Sequence, residues 1–475
     1  MQVSPPSFLE QRQRFEAQRQ AFAAESNPPA QVRIDRLNRL LALTENHESD
    51  FVRAIDTDFS GRSAHETRLA ELFIVRAGIR HAREHLKHWM SPQRIATGLH
   101  FRPGYNRLLR QPLGVVGIVS PWNYPIQLSM GPALAALAAG NRVLLKPSEL
   151  TPHFSELLDR LVRASFAPDE LSVVTGGVDV GQAFVGLPFD HLFFTGSTQV
   201  GRQVAQAAAA NLTPVTLELG GKSPAILDAS CDIPAAVASI AYGKFLNAGQ
   251  TCIAPDYVLV PTGLADIVAD RLKAAVTRLY PMLISNPDYT AIISTRHRER
   301  LNAMVKEARD GGARIIEINP AAERFDERTR KFPPTLVIGA AANTRLMREE
   351  VFGPLLPIVE YDGLDQAIAV VNQGDRPLAL YWFGRSVANR DRVLREMISG
   401  GVTVNDCLWH LAQEEQPFGG VGPSGTGAYH GEWGFRTFSK EKPVFYQARL
   451  NGSRFFYPPY GKTFELMLRL LKRIT

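Results

Sequence analysis

The sequence predicts an α/β protein with two doubly wound domains, because two long stretches show the same alternating pattern. From about residue 114 to 210, short apolar runs such as GVVGIVSP, RVLLKPS and HLFFTG alternate with segments of helical period. A second alternating stretch begins with SPAILD, near residue 223, and continues to about residue 400. Strands that alternate with helices form parallel βαβ units, with helices on both faces of the sheet.

The elements follow in order along the chain. Residues from about 7 to 90 are predicted to be helical because apolar residues recur among charged ones, and Ser91-Pro92 end that region. Residues 92–113 predict an extended excursion from the main body. The first alternating stretch then predicts strands at 114–121, 142–148, 171–174 and 191–196, and helices at Gln127–Ala139, 153–165, 179–185 and Thr198–Ala210. The second predicts strands at SPAILD and YVLVP, helices near 233–246 and 264–279, a turn at Gly311-Gly312 and a shaped Gly-rich loop at 417–431.

Composition excludes several classes of protein. The 475 residues are 45% hydrophobic and 21% charged, which is ordinary for a globular chain and excludes a disordered or fibrous one. The net charge of +6 comes without a dense basic run, so no nucleic-acid partner is expected. No uncharged apolar run approaches the roughly 20 residues that a membrane-spanning helix needs.

The cysteines predict a reduced, cytoplasmic protein. Cys231, Cys252 and Cys407 are few and widely spaced, which is unlike a disulfide framework, and no zinc-binding spacing of Cys or His is present, so no metal is predicted. Cys231 precedes a helix start and is interpreted as structural. Cys407, in VNDCLWH, is a candidate for lining a site.

Two residues are candidates for covalent and acid–base chemistry. Cys252 lies in GQTC, between a predicted helix and the strand YVLVP; it is either a small buried hydrophobe or a nucleophile in a polar loop. Glu218 ends the strand-like run PVTLE before two glycines; it is either a solvated strand end or a positioned general base.

Other candidates follow the ends of predicted strands. Asn123 stands between the prolines of PWNYP, which restrict the backbone; its amide either closes a local turn or donates to an oxyanion. Lys146 and Glu149, in LLKPSE, follow a buried strand, where ligands of open α/β sheets bind. In FTGSTQVG, residues 194–201, a Gly turn leads into a helix whose N-terminus can meet a phosphate, although no GxGxxG is present.

Taken together, these segments resemble the aldehyde dehydrogenase superfamily. PWNYP, LLKPSE, FTGS, ELGGKSP, GQTC, EEVFGP and PFGGVGPSG occur in the order and approximate spacing of that superfamily, from about residue 30 to 445. The ending YHGEWGFRTFSKEKPV resembles the class 3 branch. With GQTCIAPDYVLVP, it is most similar to the coniferyl aldehyde dehydrogenases.

The resemblance implies a role for each candidate. Cys252 matches the nucleophile, whose thiolate would form a thiohemiacetal and then a thioester, in a site expected to lower its pKa. Asn123, with the Cys252 backbone N–H, matches the oxyanion donors, and Glu218 matches the base that activates water. For the cofactor, Lys146 and Glu149 match the adenosine ribose site, Thr195, Gly196 and Ser197 the pyrophosphate turn, and Glu350 and Phe352 the nicotinamide end. We expect NAD, with NADP possible, because a 2′-phosphate would meet the charge of Glu149.

The resemblance also implies a domain organisation. It comprises an NAD-binding domain at 1–91 and 113–219, a catalytic domain at 220–410, a small β bridging or oligomerisation arm at 92–112 and 411–445, and a tail at 446–475. Class 3 relatives form dimers, so a homodimer is expected. From Phe464 the tail predicts an amphipathic helix too short to span a bilayer, and we expect it to dock on the protein rather than on a membrane surface.

The substrate expected from the resemblance is coniferyl or another aromatic aldehyde, with medium or long aliphatic aldehydes as the alternative. Five aromatic residues, if they are not core, would line a tunnel: Trp122, Tyr124, Tyr242, Trp409 and Phe418. Two rival functions are a CoA-acylating dehydrogenase, whose members generally lack the acid of ELGGK, and a non-catalytic protein, which could lose Cys252, Glu218 or Asn123. All three residues are present, which favours hydrolytic aldehyde oxidation.

Overall fold

The computed structural model describes residues 8–326 and 329–474. Residue 7, where the predicted helical region starts, lies outside the described residues. The helices are α1 Phe8–Ala24, α2 Ala30–Asn46, α3 Glu48–Phe59, α4 Ala64–Glu66, α5 Ile74–Met90, α6 Pro125–Ala139, α7 Pro152–Ser165, α8 Val178–Val185, α9 Thr198–Ala209, α10 Ile233–Phe245, α11 Ala265–Leu279, α12 Thr295–Asp310, α13 Arg345–Arg348, α14 Gly363–Gln373, α15 Val387–Glu396, α16 Gly431–Thr437 and α17 Lys462–Ile474. A π-helical segment, Thr67–Phe73, joins α4 to α5.

The strands form three sheets. They are β1 Gln93–Ile95, β2 Tyr105–Pro112, β3 Val115–Val119, β4 Arg142–Lys146, β5 Leu171–Val173, β6 His191–Thr195, β7 Val215–Glu218, β8 Pro224–Leu227, β9 Tyr257–Pro261, β10 Arg314–Glu317, β11 Thr335–Ile338, β12 Leu355–Tyr361, β13 Ala379–Phe383, β14 Gly401–Val404, β15 Gly425–Thr426 and β16 Ser439–Tyr446. The predicted strand and helix alternation is therefore confirmed, with bounds that differ by a few residues. Helix α6, for example, begins at Pro125 rather than Gln127, because proline is well suited to the first turn of a helix.

The first sheet has the order β15-β7-β6-β3-β4-β5. Strands β3 to β7 are parallel, and β15 pairs with β7 in the antiparallel sense. Strand β4 lies beside β3 on one side, and β6, which comes later in the chain, lies beside β3 on the other side. The strand order therefore reverses at β3. In doubly wound sheets, ligands bind outside the carboxyl ends of the strands at this switch point.

The second sheet has the order β10-β11-β12-β9-β8-β13-β14 and is parallel except for β10. Its inner strands are buried on both faces, as their continuous apolar sequences require. The third sheet, β1-β2-β16, joins the predicted excursion to the segment near the end of the chain, and β16 pairs with β2 from Ser439 to Tyr446. The fold is thus two α/β units with a small antiparallel arm, as predicted.

The tail forms the predicted helix, α17, and its docking stays a prediction. Within the chain, α17 packs most closely with the neighbouring segment Ser453–Phe456. Leu466 and Leu470 consequently remain 59% and 47% exposed. In the described part of the chain, no helix is both long enough and apolar enough to cross a membrane.

Candidate active site

The predicted site residues gather where several parallel strands of the first sheet end. Asn123 follows β3, Lys146 ends β4, Thr195 ends β6 and Glu218 ends β7. Parallel strands bring their carboxyl ends to one edge, so these four positions share one rim of the sheet. Cys252 reaches the same place from the second α/β unit, in the loop between α10 and β9.

The Cys252 loop has an unusual backbone that is fixed by hydrogen bonds. After α10, Asn247 and Ala248 adopt left-handed φ angles of 51° and 50°. The Asn247 side chain donates from Nδ2 to the carbonyl of Gln250 at 3.1 Å, and the Gln250 side chain donates back to the Asn247 carbonyl at 3.0 Å. Strained backbone of this kind persists only where its surroundings hold it, so the loop is built to present Cys252.

The Asn123 loop is joined to the Cys252 loop directly. Asn123 Nδ2 donates to the Gln250 carbonyl at 3.2 Å, and Asn247 Nδ2 donates to the Asn123 carbonyl at 3.1 Å. The Tyr124 hydroxyl also meets the Thr251 hydroxyl at 2.7 Å. These bonds fix the Asn123 amide and leave its second N–H free to act as a donor in the cavity.

A buried ionic group behind the two loops was not predicted from the sequence. Arg62 Nη1 donates to the Asn123 carbonyl at 2.6 Å, and Arg62 Nη2 lies 3.3 Å from a carboxylate oxygen of Glu71. Glu66 accepts the backbone N–H of Asn247 at 3.0 Å. Burial raises the pKa of both Glu66 and Glu71 to about 7, and the Arg62 charge opposes that rise.

The environment of Cys252 differs from the sequence-based expectation. Burial, together with Glu350 and Glu218, raises the pKa of the Cys252 thiol to about 12. The expectation of a site that lowers this pKa is therefore wrong for the protein's own groups. The physical reason is that the loop places the sulfur in a desolvated position next to acidic residues, both of which disfavour a second negative charge.

Glu218 is a buried carboxyl whose oxygens have no partner among the described residues. It is 3% exposed, and neither Oε1 nor Oε2 accepts a hydrogen bond there. Burial raises its pKa well above the ordinary value. An unsatisfied carboxyl is costly in a folded core, so its position on the wall of the cavity that contains Cys252 points to chemistry rather than stability.

Two adjoining clefts, each of about 930 Å³, contain the predicted cofactor residues. Lys146 and Glu149 line the first cleft, and Glu350 and Phe352 line the second, with Cys252. Of the predicted cofactor residues, Thr195, Gly196 and Ser197 line both clefts. Ser197 caps the N-terminus of the 12-residue helix α9. The two adjoining clefts, with the N-terminus of α9 between them, suit a dinucleotide whose phosphates lie at that N-terminus.

The two ends of this cleft carry different chemistry. Lys146 Nζ donates to Glu149 at 3.4 Å, which leaves a cation and a partly exposed carboxylate to bind sugar hydroxyls. At the other end, a Cβ on Gly220 would lie 2.1 Å from a carboxylate oxygen of Glu350, so the glycine makes room for that carboxylate. Phe352 meets the edge of Trp122 with ring centroids 5.4 Å apart.

A separate apolar cavity of about 180 Å³ reaches Cys252 and Glu218 from the other side. Four of the five predicted aromatic residues line it: Tyr124, Tyr242, Trp409 and Phe418. Trp122 does not line this cavity and lies in the clefts on the cofactor side, because it packs against His297 and Phe352.

The lining of this apolar cavity, hereafter the tunnel, differs from the predicted lining at two further residues. Cys407 is buried against Gly243 and does not line the tunnel, contrary to expectation. Tyr429, which was not predicted, lines it with a buried hydroxyl that has no partner among the described residues. Its signal in the sequence was its place in the Gly-rich segment 417–431.

Comparisons with known proteins agree with this geometry. The model of the aldehyde dehydrogenase family matches residues 10–444. The chain is 49% identical to a protein of Pseudomonas aeruginosa named probable coniferyl aldehyde dehydrogenase, over 98% of both chains. It is 44% identical to a coniferyl aldehyde dehydrogenase of a Pseudomonas species, over 93% of this chain and 92% of the relative. A solved structure described as the substrate-bound state of Staphylococcus aureus AldH superposes with a TM-score of 0.91 at 38% identity, over 97% and 99% of the two chains.

Proposed function

The chain belongs to the aldehyde dehydrogenase family and is an oxidoreductase, and we propose that it oxidises aromatic aldehydes of the coniferyl type to carboxylic acids through Cys252. The single observation that carries this proposal is the convergence of Cys252, Glu218 and Asn123 on one cavity between a dinucleotide-sized cleft and an apolar tunnel. The names of the relatives support the substrate class.

Bond formation begins at sulfur. The Cys252 thiol first gives up its proton to solvent water. The thiolate then attacks the aldehyde carbon, and the carbonyl oxygen becomes the oxyanion of a thiohemiacetal. The free N–H of the Asn123 amide and the backbone N–H of Cys252 hold that oxyanion, and loss of one such donor typically costs about 2.7–4 kcal/mol of barrier. Since the Asn123 amide is already fixed by Gln250, little reorganisation is needed.

The cofactor supplies the hydride acceptor when it is bound. The residues proposed to hold it are Lys146 and Glu149 at the ribose, Thr195, Gly196 and Ser197 at the phosphates, and Glu350 and Phe352 at the nicotinamide end. The family uses NAD(P). We place NAD ahead of NADP, since a 2′-phosphate would meet the carboxylate of Glu149.

Release of the acid requires a base. In its ionised form, Glu218 takes a proton from water, the hydroxyl oxygen bonds to the thioester carbon, and the carbon–sulfur bond breaks. The products are the carboxylic acid and the Cys252 thiolate. The free oxygens of Glu218 are suited to this role because no described protein group occupies them.

The substrate class is tested with a panel of aldehydes. The tunnel carries aromatic walls, so kcat/KM with NAD should be higher for coniferyl and other cinnamyl-type aldehydes than for hexanal or decanal. A preference for the aliphatic aldehydes would reject the aromatic assignment and favour the alternative. The same assay with added CoA tests the CoA-acylating rival, and absence of any NADH formation would favour a non-catalytic relative.

The proposal extends to assembly and compartment. We place the enzyme in the cytoplasm as a homodimer. The three cysteines are unpaired, as in a reducing compartment. The arm exposes Phe101, Tyr105, Phe445 and Tyr446, an apolar surface that a second copy would cover. Analytical ultracentrifugation at micromolar concentration should show a dimer, and a monomer throughout the range would contradict it.

A further inference from the structure

Outside the active site, two histidines and a glutamate form a compact cluster on the tunnel's outer wall. His81 and His85 are one turn apart on α5, and Glu415 approaches them from the loop that precedes the Gly-rich segment. One potential ligand atom from each residue lies within 4.8 Å of the others. The cluster runs counter to the sequence-based expectation of no metal, because folding brings Glu415 to α5 from far along the chain.

The ring orientations leave metal-binding lone pairs available. His85 Nδ1 lies 2.9 Å from the backbone carbonyl of His81. A carbonyl oxygen only accepts, so Nδ1 carries the proton and Nε2 carries the lone pair. A hydrogen bond of this kind is what normally orients a histidine toward a metal ion.

The His81 ring is positioned by packing contacts and lies near Glu415. Its Nε2 packs near Gly431, whereas its Nδ1 lies 3.7 Å from a carboxylate oxygen of Glu415. The His81 and His85 rings stack with centroids 4.3 Å apart, and Trp89 contacts both rings. In the described chain, no side-chain or backbone group forms a hydrogen bond with the ring nitrogens of His81.

We propose that His81, His85 and Glu415 form a site for a divalent transition-metal ion such as Zn²⁺, which ties α5 to the 408–415 loop. Two imidazoles and one carboxylate are a ligand set that suits zinc and excludes magnesium, which prefers an all-oxygen shell. Water would complete the coordination on the exposed side of Glu415.

An ion at this site would affect the wall of the tunnel. Glu414, next to Glu415, accepts the Gly431 backbone N–H at 3.1 Å and also lines the tunnel. Ile74 and Ala77, which belong to α5, also line the tunnel. An ion at this site therefore joins two elements of the same wall, and it should reduce the motion of the loop that carries Trp409.

The test uses the full-length protein with Cys252→Ala, so that the reactive thiol does not bind metal. Isothermal titration calorimetry with Zn²⁺ should show one equivalent bound. The paired substitution His81→Asn with His85→Asn should weaken that binding by about a hundredfold, and Glu415→Gln should weaken it by about tenfold. The matched control is His88→Asn, an exposed histidine on the same helix, which should change nothing. Mg²⁺ should give no binding.

Equal Zn²⁺ binding with and without His81 and His85, or no binding by the parent protein, would overturn the site. Hydrogen–deuterium exchange of the same proteins tests the consequence. Zn²⁺ should slow amide exchange in residues 408–416 of the parent and of His88→Asn, but not of the paired variant. Zinc binding without slower exchange would overturn the proposed link between α5 and the loop.

Discussion

Arg62 donates a hydrogen bond from Nη1 to the backbone carbonyl of Asn123 at 2.6 Å, although the two residues are 61 positions apart in the chain. The Arg62 side chain is fully buried, and its other end meets Glu71. The amide proposed to hold the oxyanion is therefore positioned by an ion pair in the protein interior. Arg62 does not line the described cavities at Cys252, so it is a positioning residue.

The first prediction concerns Arg62→Lys. A lysine keeps the charge that Glu71 needs, but a single ammonium does not reproduce the fork that reaches both Glu71 and Asn123. We expect kcat to fall by roughly tenfold to a hundredfold, as for the loss of about 1.4–2.8 kcal/mol, with KM for the aldehyde little changed. Steady-state kinetics measure this split. Arg68→Lys, in an exposed pair with Glu48, is the control, and an unchanged kcat in Arg62→Lys would contradict the role.

The second prediction concerns the stability cost of Glu218. Folding raises the pKa of this carboxyl. The free energy of unfolding of the parent protein is therefore greatest below the unfolded pKa of Glu218, and it falls as the pH rises toward the folded pKa. Glu218→Gln does not titrate. We therefore expect the variant's advantage in free energy of unfolding to grow by about 1.4 kcal/mol per pH unit above roughly pH 4.5.

Urea unfolding at pH 5, 6 and 7 measures this advantage. The exposed Glu156→Gln substitution is the control and should show no such trend. A constant difference between Glu218→Gln and the parent across this range would mean that Glu218 is ionised in the folded protein.

The third prediction concerns thiol reactivity. Because burial and acidic neighbours raise the pKa of Cys252 to about 12, the thiolate fraction of the cofactor-free protein should rise about tenfold per pH unit through neutral and mildly alkaline pH. The rate of iodoacetamide labelling of the Cys252 peptide, followed by mass spectrometry, should follow it without a plateau. A plateau near pH 7–8 would show that the site lowers this pKa after all.

These results separate what the sequence could predict from what it could not. Alternating apolar runs, and the Gly and Pro residues that separate them, are local signals. The strands and helices around Asn123, Lys146 and Glu218 were therefore predicted to within a few residues. The resemblance supplied the cofactor and catalytic candidates, and the fold brings Cys252, Glu218 and Asn123 to one cavity. Their roles remain proposals.

The missed features all depend on tertiary contacts. Arg62 lies in a polar segment of the helical N-terminal region, and nothing local indicates that it is buried against Asn123. The raised pKa of Cys252 depends first on burial of the thiol and then on Glu350, and both arise only when the chain folds. Trp122 was assigned to the tunnel because aromatic character does not say which side of a loop a ring faces.

The fourth prediction concerns cofactor choice. Glu149→Gln removes the charge that would repel a 2′-phosphate and keeps a group that can bond sugar hydroxyls. We expect kcat/KM for NADP, relative to NAD, to rise by about tenfold. The control, Glu84→Gln, is on the outer face of α5 and should leave the ratio unchanged. A parent enzyme with equal kcat/KM for both cofactors would contradict the assignment of Glu149.

The central claim is that aldehyde oxidation proceeds through an acyl group on Cys252 that Glu218 helps to hydrolyse. Rapid mixing of Glu218→Gln with coniferyl aldehyde and NAD, followed by acid quench and peptide mass spectrometry, tests it most directly. We predict a burst of about one NADH per active site, slow turnover afterwards, and the mass of the acyl group on the Cys252 peptide alone. Full steady-state turnover by this variant, or a burst with no acyl group on Cys252, would contradict the account.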